Sequence, residues 1–158
     1  MKKTKFWKKA VFWILFSLSV GGISALVTQK GMKAFEFAAK PPLTPPTAVF
    51  PIAWTVLLIL IGLGFALARE KAAEKSEKDG ITTAYAIQAV FFFCWSVWFF
   101  NLQLYGFSAV WLIGMIAAIV NMISKYRKVS RAAAWLQTPY FLWCLFALYL
   151  NIGVWKLN

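Results

Sequence analysis

Long uncharged runs alternate with short charged clusters along the chain. Residues 10–29, 41–68, 80–124 and 132–155 contain no Asp, Glu, Lys or Arg and hold 20, 28, 45 and 24 residues. A membrane-spanning helix needs about 20 apolar residues. Three of the runs therefore accommodate one span each. The third accommodates two spans joined by a turn at residues 101–106.

This pattern predicts an all-α fold, namely a polytopic membrane protein with a bundle of five transmembrane helices in a single domain of residues 1–158. The predicted helices cover approximately residues 10–28, 47–68, 81–100, 106–123 and 132–152. Composition agrees with the prediction, because 61% of the residues are hydrophobic. Soluble domains contain about 45–50% apolar residues.

The basic residues fall mainly on one side of the predicted bundle. The segment before the first helix and the second and fourth connections hold 13 Lys and Arg residues, whereas the remaining segments hold 4. The positive-inside rule then predicts a cell-membrane protein with a cytoplasmic N-terminus and a C-terminus outside. Residues 1–25 also resemble a cleavable secretory signal, an alternative that would remove the first span.

The net charge of +12 is mostly a consequence of this topology. A basic chain invites a nucleic-acid interpretation, but no soluble domain presents these clusters. We therefore expect no nucleic-acid partner. The lipid bilayer and its anionic headgroups are the expected partners of the charged ends.

The chemistry available inside the predicted spans is limited. They contain no ionisable Asp, Glu, Lys or Arg, and the chain has no histidine. This argues against a proton-coupled pump and removes the usual acid–base catalysts. Zinc sites of the usual Cys/His type and histidine-ligated haem cannot be built. We expect neither a metal nor a bound cofactor.

A proline-rich stretch, KPPLTPPTAVFPIAWT, covers residues 40–55 and holds five of the six prolines. Proline stiffens an extended backbone and opposes helix extension. The stretch therefore predicts a rigid lid loop over residues 29–46. Trp54 follows just inside the second predicted helix.

The fifth predicted helix carries a regular pattern. Pro139, Trp143, Ala147 and Asn151 are spaced by four residues and follow one slowly drifting helical face. Ala147 leaves a notch between a bulky and a polar side chain. Such a face could pack against a neighbouring helix or line a pocket.

Three motifs of this chain resemble the TspO/MBR family. They are K-P…P-P…F-P-x-x-W-T-x-L at residues 40–57, W-S-x-x-F-F at residues 95–100, and P-Y-x-x-W-x-x-F-A-x-x-L-N at residues 139–151. They occur in the family's order. The family comprises the tryptophan-rich sensory proteins of bacteria and the mitochondrial translocator protein, or peripheral benzodiazepine receptor.

The resemblance implies a five-helix bundle, often a homodimer, with an apolar pocket beneath the first loop. The implied partners are tetrapyrroles such as protoporphyrin IX, sterol-like molecules and benzodiazepine-type ligands. The ligand-binding residues implied by the motifs are Trp54, Leu58, Trp95, Phe99, Trp143, Ala147 and Asn151. The implied lid residues are Phe35, Lys40, Pro41, Pro45 and Pro46.

The chain departs from the family pattern in its lid. Leu43 stands where the family has Trp before T-P-P, and Ala34 and Phe35 stand where it has a Trp-Tyr pair. The lid and pocket are therefore expected to be less polar. Lys30, Lys33 and Lys40 are expected to meet the carboxylates of a porphyrin at the outer surface.

Several functions stay open at this point. The sequence favours a membrane receptor or binding protein for flat apolar ligands, with a regulatory or stress-sensing role. One alternative is a light-dependent porphyrin-degrading enzyme, in which Trp54 and Trp143 would donate electrons, since some bacterial members are reported to degrade protoporphyrin. Others are a transporter of porphyrin or sterol-like molecules, and a structural or regulatory partner with an incidental pocket.

Overall fold

The structure is a computed structural model and describes residues 2–158. Its helices are α1 (Lys2–Phe35), α2 (Val49–Lys71), α3 (Lys75–Ser96), α4 (Tyr105–Val129), α5 (Arg131–Trp135) and α6 (Thr138–Leu157). A π-helical turn, Val97–Asn101, extends α3, and no strand occurs among the described residues. Five helical stretches, the last made of α5 and α6 together, are long and apolar enough to cross a membrane. The predicted all-α fold with five spans is confirmed.

The two ends of the bundle are tied by contacts between segments distant in sequence. At one end, the Lys9 ammonium of α1 forms an ion pair of 2.9 Å with Glu70 near the end of α2. At the other end, the side-chain amide of Asn158 binds the backbone of Ala39. Alternate connections therefore lie at the same end of the bundle, as an antiparallel five-span arrangement requires.

The first helix is longer than predicted, which shortens the first connection. α1 continues past residue 28 to Phe35, so the predicted lid of residues 29–46 is corrected to residues 36–48, called the first loop below. Lys30 and Lys33 do not end the helix. Cations near the C-terminal end of a helix interact favourably with its dipole, so these lysines support the added turns.

The fifth span is interrupted, whereas the sequence analysis predicted one helix over residues 132–152. α5 ends at Trp135 and α6 begins at Thr138. Pro139, in the first turn of α6, has no N–H to continue the helical hydrogen bonds backwards. The buried side chain of Gln137 fixes the break by donating from Nε2 to the Leu60 carbonyl at 3.1 Å.

The first two helices approach closely at Gly62. A Cβ atom built at this glycine would lie 2.6 Å from the Cα atom of Ile14 and from the carbonyl oxygen of Trp13. Only a residue without a side chain allows the two backbones to meet here. This contact fixes the α1–α2 crossing below the cavity described next.

Candidate functional site

A cavity of about 850 Å³ lies between α1, α2, α3 and α6 and beneath the first loop. Its wall is mainly apolar and aromatic. The residues that line the cavity include Gly21, Gly22, Ser24, Ala25, Thr28, Phe35, Glu36, Lys40, Pro45, Pro46, Pro51, Trp54, Thr55, Leu58, Phe92, Trp95, Ser96, Phe99, Ala147, Leu150 and Asn151. Concave, mainly apolar sites of roughly 300–1,000 Å³ are typical of small-molecule binding.

Most residues singled out from the sequence come together in this wall. The predicted ligand-binding residues that line it are Trp54, Leu58, Trp95, Phe99, Ala147 and Asn151, and the predicted lid residues that line it are Phe35, Lys40, Pro45 and Pro46. Trp143 and Pro41 do not line it. Their different positions have separate causes.

Trp143 lies in a second, apolar groove of about 430 Å³ between α2 and α6, together with Pro139. Its ring meets Trp54 edge-on from outside, with ring centres 6.4 Å apart. A step of four residues rotates an α-helix by about 40° more than one full turn, because a turn takes 3.6 residues. Between Trp143 and Asn151 the face therefore rotates by about 80°, and the tryptophan turns out of the cavity wall.

Pro41 fastens the first loop to α6 instead of lining the cavity. It is buried against Gly153, where an added Cβ would lie 2.5 Å from the Cβ atom of Pro41. Nearby, the Tyr149 hydroxyl donates to the Pro42 carbonyl at 2.7 Å. The proline pair thus holds the loop against the helix.

Asn158 adds a second attachment between the loop and α6. The Ala39 N–H donates to Asn158 Oδ1 at 3.1 Å, and Asn158 Nδ2 donates to the Ala39 carbonyl at 2.9 Å. The paired bonds satisfy both polar groups of one loop residue. The loop is therefore fixed at two places along its length.

Trp54 is the centre of an aromatic cluster at the cavity wall. Its ring centre lies 4.8 Å from that of Phe92 and 6.3 Å from those of Trp95 and Tyr140. Aromatic rings at such separations attract one another beyond the effect of buried area. The cluster forms a rigid aromatic wall from α2, α3 and α6.

Asn151 fixes the second tryptophan of this wall. Its Oδ1 accepts from Trp95 Nε1 and from the Ser108 hydroxyl, each at 3.1 Å, and its Nδ2 donates to the Tyr105 carbonyl at 2.8 Å. The side chain is 1% exposed. The amide thus joins α3, α4 and α6, and it positions Trp95 with its own hydrogen-bonding groups already engaged.

The hydroxyl groups that line the cavity also have protein partners. Ser24 and Ser96 share a hydrogen bond of 2.6 Å between α1 and α3. Thr28 donates to the Ser24 carbonyl at 2.8 Å, and Thr55 donates to the Pro51 carbonyl at 2.7 Å. A ligand here gains mostly apolar and aromatic contacts.

Charged groups reach the cavity at its mouth. The Lys40 ammonium donates to the carbonyls of Glu36 and Ala38 at 2.8 and 3.3 Å and lies 4.9 Å from the Phe35 ring centre. Glu36 is exposed and also lines the cavity. Among the described residues, no three His, Cys, Asp or Glu side chains form a group that could hold a metal ion.

The sequence analysis missed the contribution of α1. Gly21, Gly22, Ser24, Ala25 and Thr28 line the cavity. The sequence carried a signal, because these small residues interrupt an otherwise bulky apolar helix. Glu36 was missed for another reason: it lies between the predicted first helix and the proline motif.

The fold and cavity together define a class, a five-span helical membrane protein with an aromatic cavity closed by a proline-rich loop. The model of the TspO/MBR family matches residues 13–156. The chain is 31% identical to the tryptophan-rich protein TspO of Chlorobaculum tepidum over 142 residues, which are 89% of this chain and 90% of that protein.

Other relatives agree. The chain is 32% identical to the tryptophan-rich protein TspO of Archaeoglobus fulgidus, over 95% of this chain and 97% of that protein. It is 30% identical to the translocator protein of Ovis aries, over 96% of this chain and 91% of that protein. The chain belongs to the TspO/MBR family and is a multi-pass membrane protein.

Proposed function

We propose that this protein is a membrane receptor that binds a flat, apolar ligand, of which a tetrapyrrole such as protoporphyrin IX is the best candidate. The observation that carries the proposal is the cavity of about 850 Å³ with Trp54, Phe92 and Trp95 in its wall. Flat aromatic side chains fixed in place favour a flat aromatic ligand, since ring stacking adds to apolar burial.

The polar groups support the same kind of ligand. The Asn151 amide and the hydroxyls of Ser24 and Ser96 are engaged inside the protein. A ligand that presents no free hydrogen-bonding group on its buried faces leaves no buried polar group unsatisfied there. Lys40 at the mouth can face the carboxylates that protoporphyrin carries at one edge, whereas Lys30 and Lys33 lie outside the cavity wall.

Intrinsic tryptophan fluorescence tests this proposal. Protoporphyrin IX titrated into the purified protein should quench the fluorescence with saturation near one porphyrin per chain. An unrelated membrane protein in the same detergent serves as the control. Quenching that rises without saturation, equally in both proteins, would show partition into detergent and refute the proposal.

Light-dependent degradation of the porphyrin is a second candidate function. The ring centre of Trp54 lies within 6.4 Å of the ring centres of both Trp95 and Trp143. Neighbouring indoles can pass an electron to a photoexcited pigment without an acid–base residue, and opening of the ring would then use dissolved dioxygen as the oxidant and as the source of the inserted oxygen. The test is a distinct open-chain tetrapyrrole product under illumination. Porphyrin loss equal to that in light and detergent alone would refute turnover.

We further propose a cell-membrane protein that forms homodimers and has residues 2–9 in the cytoplasm. The excess of Lys and Arg at that end supports the orientation. Reporter fusions after residue 158 would test it, since an active periplasm-dependent reporter is expected. Chemical cross-linking in native membranes would test the dimer.

A further inference from the structure

Part of the cavity wall is solvent-accessible between α1 and α2. Gly22 and Ala25 of α1 and Pro51 and Thr55 of α2 line the cavity and are also exposed on the protein surface. These four residues are named the α1–α2 slot. Exposed cavity-lining residues on two adjacent helices point to an opening between those helices.

The slot is open because α1 and α2 are held together below it. Gly62 allows backbone contact with Ile14, and Gly21 packs directly against Leu58. One residue further along, a Cβ atom built at Gly22 would meet nothing within 4 Å. Small side chains at Gly22 and Ala25 therefore leave space between the two helices on the side of the first loop.

The depth of the slot places it against lipid tails. Ala25 and Gly22 precede Lys30 by five and eight residues, which puts them about 7 and 12 Å further into the span at a rise of 1.5 Å per residue. The stretch before Lys30 is uncharged for 20 residues. The medium beside the slot is therefore the hydrocarbon of the leaflet nearest the first loop.

The first loop, by contrast, covers the cavity from the aqueous side. It is fixed to α6 by the paired bonds between Asn158 and Ala39, by the Tyr149–Pro42 bond and by the packing of Pro41. Among the residues that the structure describes, no comparable contact closes the slot. The side facing the membrane is the less obstructed route into the cavity.

When no larger ligand is present, the cavity can hold water, stay empty or take up an acyl chain. Water gains little, because the hydroxyls of Ser24, Thr28, Ser96 and Thr55 already have partners. An empty apolar space loses dispersion contacts with its wall. An acyl chain in the adjacent hydrocarbon restores those contacts without crossing a polar layer.

We propose that the α1–α2 slot is a lipid-binding site through which one acyl chain of a bilayer phospholipid enters and occupies the cavity. The chain passes between Ala25 and Thr55 and ends against Phe92 and Trp95, while its headgroup stays at the level of Lys40. Any other ligand of the cavity displaces this chain. The proposal holds whether or not tetrapyrroles bind.

Photo-crosslinking in vesicles tests the site directly. The full chain is reconstituted in phosphatidylcholine that carries a diazirine midway along one acyl chain, then illuminated, digested and analysed by mass spectrometry. We expect adducts at the cavity residues Phe92 and Trp95, both 7% exposed. We also expect adducts at Val110, which is 67% exposed on α4 and reports the outer surface.

Substitutions in the slot distinguish entry through it from other routes. Ala25→Trp fills the slot and should abolish adducts at Phe92 and Trp95 while those at Val110 persist. Ala117→Trp is the matched control, since Ala117 is exposed on α4 away from the cavity. It should leave both sets of adducts unchanged.

Thr55→Trp blocks the slot from the opposite helix and should repeat the loss at Phe92 and Trp95. Persistence of the Val110 adducts in these variants shows that the protein is still inserted and labelled in the vesicles, and an SDS unfolding midpoint equal to that of Ala117→Trp shows that the bundle is intact. Wild-type protein without cavity adducts, or slot variants that retain them, would overturn the proposal. Because no tetrapyrrole is present, the result is independent of the test of the proposed function.

Discussion

Replacement of Asn151 by leucine should weaken the bundle and release Trp95. The buried amide makes three hydrogen bonds, to Trp95, Ser108 and Tyr105. Side-chain hydrogen bonds between membrane helices contribute about 0.6 kcal/mol each on average. Their loss alone amounts to about 2 kcal/mol on that scale.

The substitution also leaves the Trp95 N–H without an acceptor, which adds to this cost. Ser108 keeps an acceptor, because its hydroxyl also lies 2.9 Å from the Tyr105 carbonyl. Trp95 has no such alternative among the hydrogen bonds of the structure, and a buried unsatisfied donor costs about 1–3 kcal/mol. We therefore expect Asn151→Leu to lower the free energy of unfolding by at least about 3 kcal/mol, more than about a hundredfold in the folding equilibrium.

Equilibrium unfolding by SDS in mixed micelles measures this change. Asn121→Leu is the matched control, because Asn121 is exposed on α4 and forms no side-chain hydrogen bond in the structure. We expect the control to stay within about 0.5 kcal/mol of the wild type. If Asn151→Leu is as stable as Asn121→Leu, the hydrogen-bonded junction of α3, α4 and α6 does not hold the cavity wall.

Three further substitutions test other parts of the structure. Gly62→Ala should lose about 1–3 kcal/mol by overpacking the α1–α2 contact, whereas Gly22→Ala should be neutral in the same SDS titration; equal effects would contradict the close approach. Asn158→Ala removes two bonds of about 1 kcal/mol each from Ala39, so hydrogen exchange at the Ala39 amide should accelerate, and unchanged protection would refute the attachment. Leu43→Asn should stabilise the protein, because Leu43 adopts φ 67°, a left-handed conformation that costs about 1–2 kcal/mol for most residues; a loss of stability would contradict that strain.

The sequence predicted the number and order of the spans because the bilayer imposes a length on each uncharged run. It was less informative about where helices end. Lysines at a membrane boundary are compatible with further helical turns, so α1 reaches Phe35 beyond the predicted boundary. The break before Thr138 depends on Gln137 reaching Leu60 in another helix, which a local pattern cannot reveal.

The motifs located much of the cavity wall, although the four-residue spacing in α6 misplaced one member. Spacing by four keeps Ala147 and Asn151 close enough in direction to share the cavity, but it turns Trp143 toward the outer groove. The role of Asn151 was also hidden, because its partners lie in α3 and α4. That α1 forms the fourth wall of the cavity depends on how the helices pack together. The only indication of this in the sequence was the run of small residues in α1.

We propose that a flat ligand binds against Trp54 inside the cavity and not in the groove at Trp143. Protoporphyrin IX binding, followed by the absorbance of the ligand, compares Trp54→Phe with Trp143→Phe, two identical substitutions whose rings lie on opposite sides of one wall. A lost aromatic contact of about 0.5–1.5 kcal/mol predicts binding weaker by about two- to tenfold for Trp54→Phe, with an unchanged dissociation constant for Trp143→Phe. Equal effects, or a larger loss for Trp143→Phe, would contradict the account.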